Sequence, residues 1–134
     1  MEILELIEKS YEAQKRYEKN GSQERYDKAA KAAAWAILKP ENNIMLASLA
    51  VEHTGLGNVE DKVTKNHRKT LGLMRDLEGV KTFGVVSNLP KRGIVEIARP
   101  KGVIASIVPS TNPVATPANN IINALKCGNS VIVS

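Results

Sequence analysis

The hydrophobic and polar positions change their period twice along the chain, first near residue 79 and again near residue 101. Up to Leu77 the pattern is helical, with strong helix formers interrupted by capping and breaking residues. It predicts four helices, over about residues 2–19, 22–39, 41–53 and 59–77. We expect residues 1–78 to form a helical layer that packs on another part of the protein.

The predicted helices have apolar or small residues at helical spacing and recognisable end signals. Ser22 and Asn58 are the expected N-caps of the second and fourth helices, and Gly55 is expected to break the third. The residues expected to share a face are Ile3, Ile7, Tyr11 and Gln14 in the first helix, Ala29, Ala30, Ala33 and Ile37 in the second, and Val63, Asn66, Thr70, Leu73 and Leu77 in the fourth.

Residues 79–100 have an extended pattern that predicts two strands. The first covers about Val80 to Val86, and the second runs from Gly93 to Arg99. In the second strand charged side chains alternate onto both faces, which is typical of a strand that is only partly covered. We therefore expect this segment to be an extended arm or a subunit contact.

Residues 101–134 have the pattern of one βαβ unit. It predicts a buried strand over Val103–Val108, a turn over Pro109–Thr116, a helix over Pro117–Lys126 and a second strand over Ser130–Val133. The crossover length predicts parallel strands and a right-handed connection. Two such strands cannot cover themselves, so the α/β pattern predicts an incomplete parallel sheet of the Rossmann type, at the front of a larger protein.

Composition and charge argue against a membrane protein, a secreted protein and a nucleic-acid-binding protein. The 134 residues are 43% hydrophobic and 25% charged, which is typical of a globular domain. The chain has neither the apolar run of a membrane span nor a basic, apolar secretion signal, so we expect a cytoplasmic protein. All of the net charge of +5 lies in residues 81–134, which leaves an anionic ligand or missing acidic segments as explanations. The basic groups are scattered, which argues against nucleic-acid binding.

Metal and thiol chemistry find little support in the sequence. His53 and His67 have no carboxylate or cysteine partner at ligand spacing, so no metal site is expected. The single cysteine, Cys127, excludes an internal disulfide, and its predicted place at a helix end indicates a structural role.

The turn Pro109–Pro113 is where ligand binding can be argued. It follows a parallel strand and precedes a helix, the place where open α/β sheets bind ligands and where free N–H groups favour negative charge. Asn112 precedes Pro113 as an N-cap would, and Thr116 precedes Pro117 in the same way. Asn112 is thus either a cap or turn residue or an amide that faces a ligand.

At these residues the chain resembles a known family. The stretch GVIASIVPSTNPVATPANNIINALKCGNSVIVS resembles the first βαβ unit of the aldehyde dehydrogenase superfamily. Its P-S-T-N-P turn, together with AVEHTGLGNVEDKVTKN at Ala50–Asn66, is similar to the CoA-acylating branch. The resemblance implies an enzyme in which a cysteine thiolate adds to a small aldehyde, hydride passes to NAD or NADP, and the acyl group is released to coenzyme A.

The resemblance also implies roles for individual residues. It makes Asn112 a candidate stabiliser of the oxyanion that forms on the aldehyde. In non-acylating relatives that asparagine stands one position earlier, where this chain has Thr111. The positions that match the family's cofactor-lining residues are Ile107, Val108, Pro109, Ser110, Thr111 and Ser134. Ser134 replaces a lysine that many non-acylating members place near the adenosine ribose, which leaves NAD and NADP both open.

The family's nucleophilic cysteine and its glutamate lie downstream of the matched region, so we expect these 134 residues to be inactive alone. The resemblance further implies a homo-oligomer, a dimer or tetramer joined through the arm strand, without a microcompartment-targeting extension. Two alternatives remain open at this point. One is a fragment of a non-acylating NAD(P)-dependent dehydrogenase, and the other is a free-standing α/β binding or assembly module.

Overall fold

A computed structural model describes residues 2–134. The helices and strands in chain order are α1 (Ile3–Lys19), α2 (Gln23–Leu38), α3 (Pro40–Thr54), α4 (Val59–Leu77), β1 (Gly84–Leu89), β2 (Ile94–Ala98), β3 (Val103–Ser106), α5 (Ala115–Lys126) and β4 (Ser130–Val133). The α/β class and the predicted order of helices and strands are confirmed.

The helix ends follow the local signals in the sequence. The Ser22 hydroxyl accepts a hydrogen bond from the Arg25 N–H at 3.1 Å, and Asn58 Oδ1 accepts one from the Asp61 N–H at 2.8 Å. Each bond satisfies a donor that the first helical turn leaves unpaired. Gly55, with φ +66°, ends α3 in the left-handed conformation that glycine adopts without strain.

β1 and β2 form a two-stranded antiparallel ribbon. A bulge interrupts the register between Val85 and Ser87. Val85, Val95 and Ile97 are all more than half exposed, so the strands are only partly covered, as predicted. The predicted start of the first strand at Val80 is wrong, because the Thr82 N–H donates to Gln23 Oε1 at 2.7 Å rather than to a strand.

The βαβ unit forms as expected, with β3 and β4 parallel. Its predicted bounds need two corrections. β3 ends at Ser106, not Val108, because the Val108 N–H donates to the Ser134 hydroxyl instead of to a neighbouring strand. α5 begins at Ala115, two residues before the predicted start at Pro117. Proline is tolerated there because the N–H groups of the first turn have no partner within the helix.

The helical layer packs directly on the βαβ unit. Ala30 and Ala34 of α2 pack against Ile122 of α5, and all three side chains are buried. The small side chains of α2 let the two helix axes approach closely. α1 lies against the two parallel strands, and the Ser130 hydroxyl donates to the Ser10 carbonyl at 3.0 Å. The first 78 residues and the parallel strands therefore share one core.

Only the end of the predicted stripe on α1 is covered within the described chain. Gln14 is buried and donates through Nε2 to the Gly128 carbonyl at 3.3 Å. Ile3 is 63% exposed, and Ile7 and Tyr11 are also exposed.

The side chain of Tyr26, on α2, packs between the helical layer and the end of the βαβ unit's helix. Its ring is fully buried and lies 4.9 Å from the ring of Tyr17 and 5.3 Å from that of Phe83. Gly21 and Gly128 border it so closely that a Cβ at either glycine would overlap the tyrosine side chain. The absence of side chains at both glycines is thus a packing requirement.

An ion pair at the α2–α5 contact joins Lys126 to Asp27. The Lys126 side chain is 4% exposed, and its Nζ lies 2.5 Å from Asp27 Oδ1, which also accepts from Gln23 Nε2 at 2.7 Å. Burial acts to raise the pKa of Asp27, but the hydrogen bonds from Lys126 and Gln23 and the charges of Lys126 and Lys31 outweigh it. The pKa of Asp27 is therefore lowered.

Replacing Gly128 by alanine is expected to destabilise the protein by about 2–4 kcal/mol, the sum of left-handed backbone strain and overpacking against Tyr26. The new Cβ would lie 2.5 Å from the nearest atom of that ring. Gly79→Ala is the matched control, since Gly79 has the same backbone conformation with open space around it, and we expect it to cost only about 1–2 kcal/mol. Urea unfolding followed by circular dichroism measures both. Equal losses would contradict the packing role of Tyr26.

Asp27→Asn is expected to cost about 1–3 kcal/mol at neutral pH, because it leaves the buried Lys126 ammonium without its counter-charge. The pKa of Asp27 is lower in the folded protein than its unfolded value of about 3.9. Its contribution is therefore complete above about pH 4 and is lost as the pH falls through the folded pKa. Unfolding free energies of both proteins should converge in acid. Asp76→Asn, which breaks an exposed pair with Arg75, should change little at any pH.

Candidate functional site

The site predicted from the sequence lies at the carboxyl ends of the two parallel strands. The turn after β3 leads into the N-terminus of α5, and the chain reaches Ser134 directly after β4. The Ser134 N–H donates to the Ser106 carbonyl at 3.0 Å, and the Ser134 hydroxyl accepts from the Val108 N–H at 3.0 Å. These two bonds hold the strand ends side by side.

A second contact fixes α5 over the end of β3. Asn120 Nδ2 donates to the hydroxyl of Ser106 at 2.8 Å, and the Ser106 side chain is buried. At the opposite end of the strand pair, Asn129 Oδ1 accepts from the N–H groups of Lys101 and Gly102 at 2.6 and 2.9 Å. No local sequence signal indicates these asparagines, because each bonds to a segment more than ten residues away.

The predicted cofactor-lining residues lie together at this edge, and most of them are open. Ile107 is 86% exposed, Val108 is half-buried, and the remaining positions are exposed. Those remaining positions are Pro109, Ser110, Thr111 and Ser134. A rim of this kind, at strand ends and ahead of a helix N-terminus, can receive an extended anionic ligand from outside the sheet.

Asn112 is held at three points in the turn. Its N–H donates to the Pro109 carbonyl at 3.2 Å, and its carbonyl accepts from the Thr116 N–H at 3.4 Å. Its side-chain Oδ1 accepts from Lys65 Nζ at 2.6 Å. Asn112 is therefore a turn residue through its backbone, while its side chain reaches α4.

The predicted capping roles of Asn112 and Thr116 are wrong. The N-cap of α5 is Val114, and no side chain caps this helix end. The Asn112 amide is engaged by Lys65, and Thr116 lies inside the helix.

Lys65 is the site residue that the sequence reasoning missed. It lies on α4, and the neighbouring Asn66 is 1% exposed and donates through Nδ2 to Asn43 Oδ1 at 3.0 Å. Asn43 in turn donates to the Val63 carbonyl at 3.0 Å, which ties α3 to α4. Lys65 belongs to the Ala50–Asn66 stretch that carried the resemblance, yet its spacing gave no sign of a contact 47 residues away.

Cys127 lies at the other end of α5 from this turn. The helix has 12 residues, so it separates the thiol from the helix N-terminus by about 18 Å. Burial raises the pKa of the Cys127 thiol, and the nearby charge of Lys126 offsets only part of that. The thiol is protonated at neutral pH, whereas a nucleophile must be a thiolate.

Residues 2–134 contain neither a metal-binding cluster nor a membrane-spanning helix. Within that range no three histidine, cysteine, aspartate or glutamate side chains are grouped so that they could hold a metal ion. Over the same range no helix combines the length and the apolar character that crossing a membrane requires.

The family model for the aldehyde dehydrogenase family matches residues 1–134. The acylating sulfoacetaldehyde dehydrogenase of Cupriavidus necator is 56% identical over 132 residues, which are 98% of this chain and 27% of that protein. The chain thus spans about a quarter of the length of the curated relative.

Solved structures give the same assignment. An acetylating aldehyde dehydrogenase from Geobacillus thermoglucosidasius matches with a TM-score of 0.87 at 35% identity, over 95% of this chain and 27% of that one. The Rhodopseudomonas palustris propionaldehyde dehydrogenase with bound propionyl-CoA matches with a TM-score of 0.76 at 29% identity, over 96% of this chain and 27% of that one.

An engineered glycolyl-CoA reductase with bound NADP+ matches with a TM-score of 0.74 at 29% identity, over 96% of this chain and 28% of that one. Each match covers nearly all of the chain and about a quarter of the relative, as expected for the incomplete α/β unit described above. The chain belongs to the aldehyde dehydrogenase family.

Proposed function

We propose that residues 1–134 are the N-terminal part of an NAD(P)-dependent, CoA-acylating aldehyde dehydrogenase. The complete protein would convert an aldehyde, coenzyme A and NAD(P)+ into an acyl-CoA, NAD(P)H and a proton. The observation that carries the proposal is the anchored Asn112 amide beside an open strand-end rim. The names of the relatives support the acylating branch, since one is an acylating and another an acetylating dehydrogenase.

The nicotinamide cofactor is proposed to bind along the rim formed by residues 107–111 and Ser134. The fit rests on the exposed turn at the carboxyl end of β3, which leads into the N-terminus of α5. Strand ends of this kind ahead of a helix N-terminus favour the negative charge of a pyrophosphate. When bound there, the cofactor accepts the hydride that leaves the aldehyde carbon. NAD and NADP are both open, and the NADP+ held by the glycolyl-CoA reductase makes NADP+ the first to test.

Asn112 is proposed to stabilise the oxyanion of the addition step. When a thiolate adds to the aldehyde, a C–S bond forms and the carbonyl π electrons move onto oxygen. Nδ2 of Asn112 can donate a hydrogen bond to that oxygen while Oδ1 stays on Lys65. The carbonyl re-forms as hydride departs, and the resulting thioester transfers its acyl group to the coenzyme A thiol.

The nucleophile is proposed to come from another part of the complete protein. Cys127 is the only cysteine among the 134 residues, and its raised pKa and its place at the far end of α5 do not suit that role. These residues alone are therefore proposed to be inactive.

We propose that the chain divides into three segments with the bounds predicted from the sequence. Residues 1–78 are the helical layer of the cofactor domain, residues 79–100 are the oligomerisation arm, and residues 101–134 begin the cofactor sheet. The exposed apolar side chains of the arm, Val85, Val95 and Ile97, favour a subunit contact in a dimeric or tetrameric protein. A cytoplasmic location is part of the same proposal.

The complete protein is expected to form NADH or NADPH from an aldehyde only when coenzyme A is present, with a thioester as the second product. Sulfoacetaldehyde is the first substrate to test, because the Cupriavidus necator relative bears that name. Absorbance at the nicotinamide band and mass spectrometry of the acyl-CoA measure both products. Equal rates without coenzyme A would point to the non-acylating alternative. Turnover by residues 1–134 alone would contradict the proposed division of the active site.

Asn112→Ala in the complete protein is expected to lower kcat by about 10²–10³-fold, which is the usual loss when one oxyanion donor is removed. Asn123→Ala is the matched control, because Asn123 is an exposed asparagine on α5 whose amide bonds only to the Asn119 carbonyl. It should keep the original kcat. If the two variants lose activity equally, Asn112 has no special part in the addition step.

A further inference from the structure

The contact between Lys65 and Asn112 joins two segments that no local signal connects, and it reaches the amide that the proposed function places at the reacting oxygen. We propose that Lys65 is a positioning residue, which orients the Asn112 side chain so that its Nδ2 donors face the aldehyde oxygen. This inference rests on the proposed function and adds a residue on α4 to the same step.

The chemistry of the two groups fixes the orientation of the amide. A lysine ammonium has three donors and no acceptor, so only the oxygen of the Asn112 amide can face it. The distance of 2.6 Å between Lys65 Nζ and Asn112 Oδ1 is that of a strong, charge-assisted bond. The NH₂ group must then point away from Lys65. Without the lysine, the amide could rotate by 180° and present its oxygen, which would repel an oxyanion.

The backbone of Asn112 leaves the side chain little other freedom. Its N–H and its carbonyl are both engaged, with Pro109 and with Thr116. Pro113 follows directly and fixes its own φ angle. The remaining variables are the side-chain torsions, and the bond to Lys65 restrains them. A donor that is already oriented before the reaction needs no rearrangement as charge develops.

Lys65 is itself held in place by the α3–α4 contact. The buried pair Asn43–Asn66 fixes the turn of α4 from which Lys65 projects. Among residues 2–134 no carboxylate lies within salt-bridge distance of Lys65. Its charge therefore acts on the amide, and it polarises the N–H bonds toward stronger donation.

The test uses Lys65→Met in the complete protein, with Lys69→Met as the control. Lys69 lies one turn further along α4 and is exposed, and the lysine that bonds to the Asn112 side chain is Lys65. We expect Lys65→Met to lower kcat about 10–100-fold while KM for aldehyde, cofactor and coenzyme A stays within about twofold, because the oxyanion exists only in the transition state. Lys69→Met should match the original protein. Lys65→Arg, which can still donate to Oδ1, should recover at least about half of the lost activity on a logarithmic scale.

A double-mutant cycle separates positioning from a general structural role. If Lys65 acts through Asn112, the variant carrying both Lys65→Met and Asn112→Ala should be no slower than Asn112→Ala alone, within about threefold. Multiplied losses would overturn the proposal. So would a rise in KM at unchanged kcat, since Lys65 would then bind a substrate or cofactor directly.

A second measurement tests the contact even if the Lys65→Met variant folds poorly and has little activity. The thermal unfolding midpoints of the original protein, both single variants and the double variant measure the coupling of the pair without any activity. Midpoint shifts that simply add would overturn the contact itself. Activity that survives Asn112→Ala would overturn the proposed oxyanion role, and the role of Lys65 with it. Activity that depends on Asn112 but not on Lys65 would overturn this inference alone.

Discussion

The close contact between α2 and α5 is the constraint on which the remaining structure depends. The Tyr26 side chain packs at this contact. It fits only because Gly21 and Gly128 have no Cβ that would overlap it. α5 is also the crossover helix of the parallel strands, so the contact sets where its N-terminus and the preceding turn lie relative to α4. An apolar contact between small side chains thus determines the geometry of a polar site at the other end of the helix.

Polar groups fix the position of α4 against α3, which the packing of α2 on α5 leaves unspecified. α4 contacts both α2 and α5, and the buried Asn43–Asn66 pair fixes its position against α3. Two neutral amides suit this buried place, because the bonds from Asn66 to Asn43 and from Asn43 to the Val63 carbonyl form at a far smaller desolvation cost than an ion pair. The charged group, Lys65, lies one residue away at the boundary of the core, where its ammonium meets the Asn112 amide. At the α3–α4 contact neutral partners thus hold the helices together, and the charge of Lys65 faces the proposed chemistry.

Helix ends that depend on residues a few positions apart could be predicted from the sequence. Strand limits and contacts that depend on distant segments could not. Ser22, Asn58 and Gly55 fixed helix ends because each acts on its own helical turn. The strand limits at Val80 and Val108 were wrong because distant side chains take over backbone bonding there: Gln23 accepts from the Thr82 N–H, and Ser134 accepts from the Val108 N–H. The sheet edge at which the candidate residues lie together could be predicted, but the contact of Lys65 with Asn112 could not, since the two residues are distant in sequence.

For the proposed oxyanion donor, the P-S-T-N-P turn offers Thr111 and Asn112, and the two side chains differ in how they are restrained. A donor that lowers a barrier must be oriented before charge develops, because an unrestrained side chain loses entropy when it is fixed. Thr111 is exposed at the rim, whereas Asn112 is restrained by two backbone bonds and by Lys65. An amide whose oxygen is engaged still offers two N–H donors, whereas a hydroxyl offers one proton whose direction is set by rotation about its C–O bond. The one-residue offset from the non-acylating pattern thus places the asparagine where α4 can restrain it.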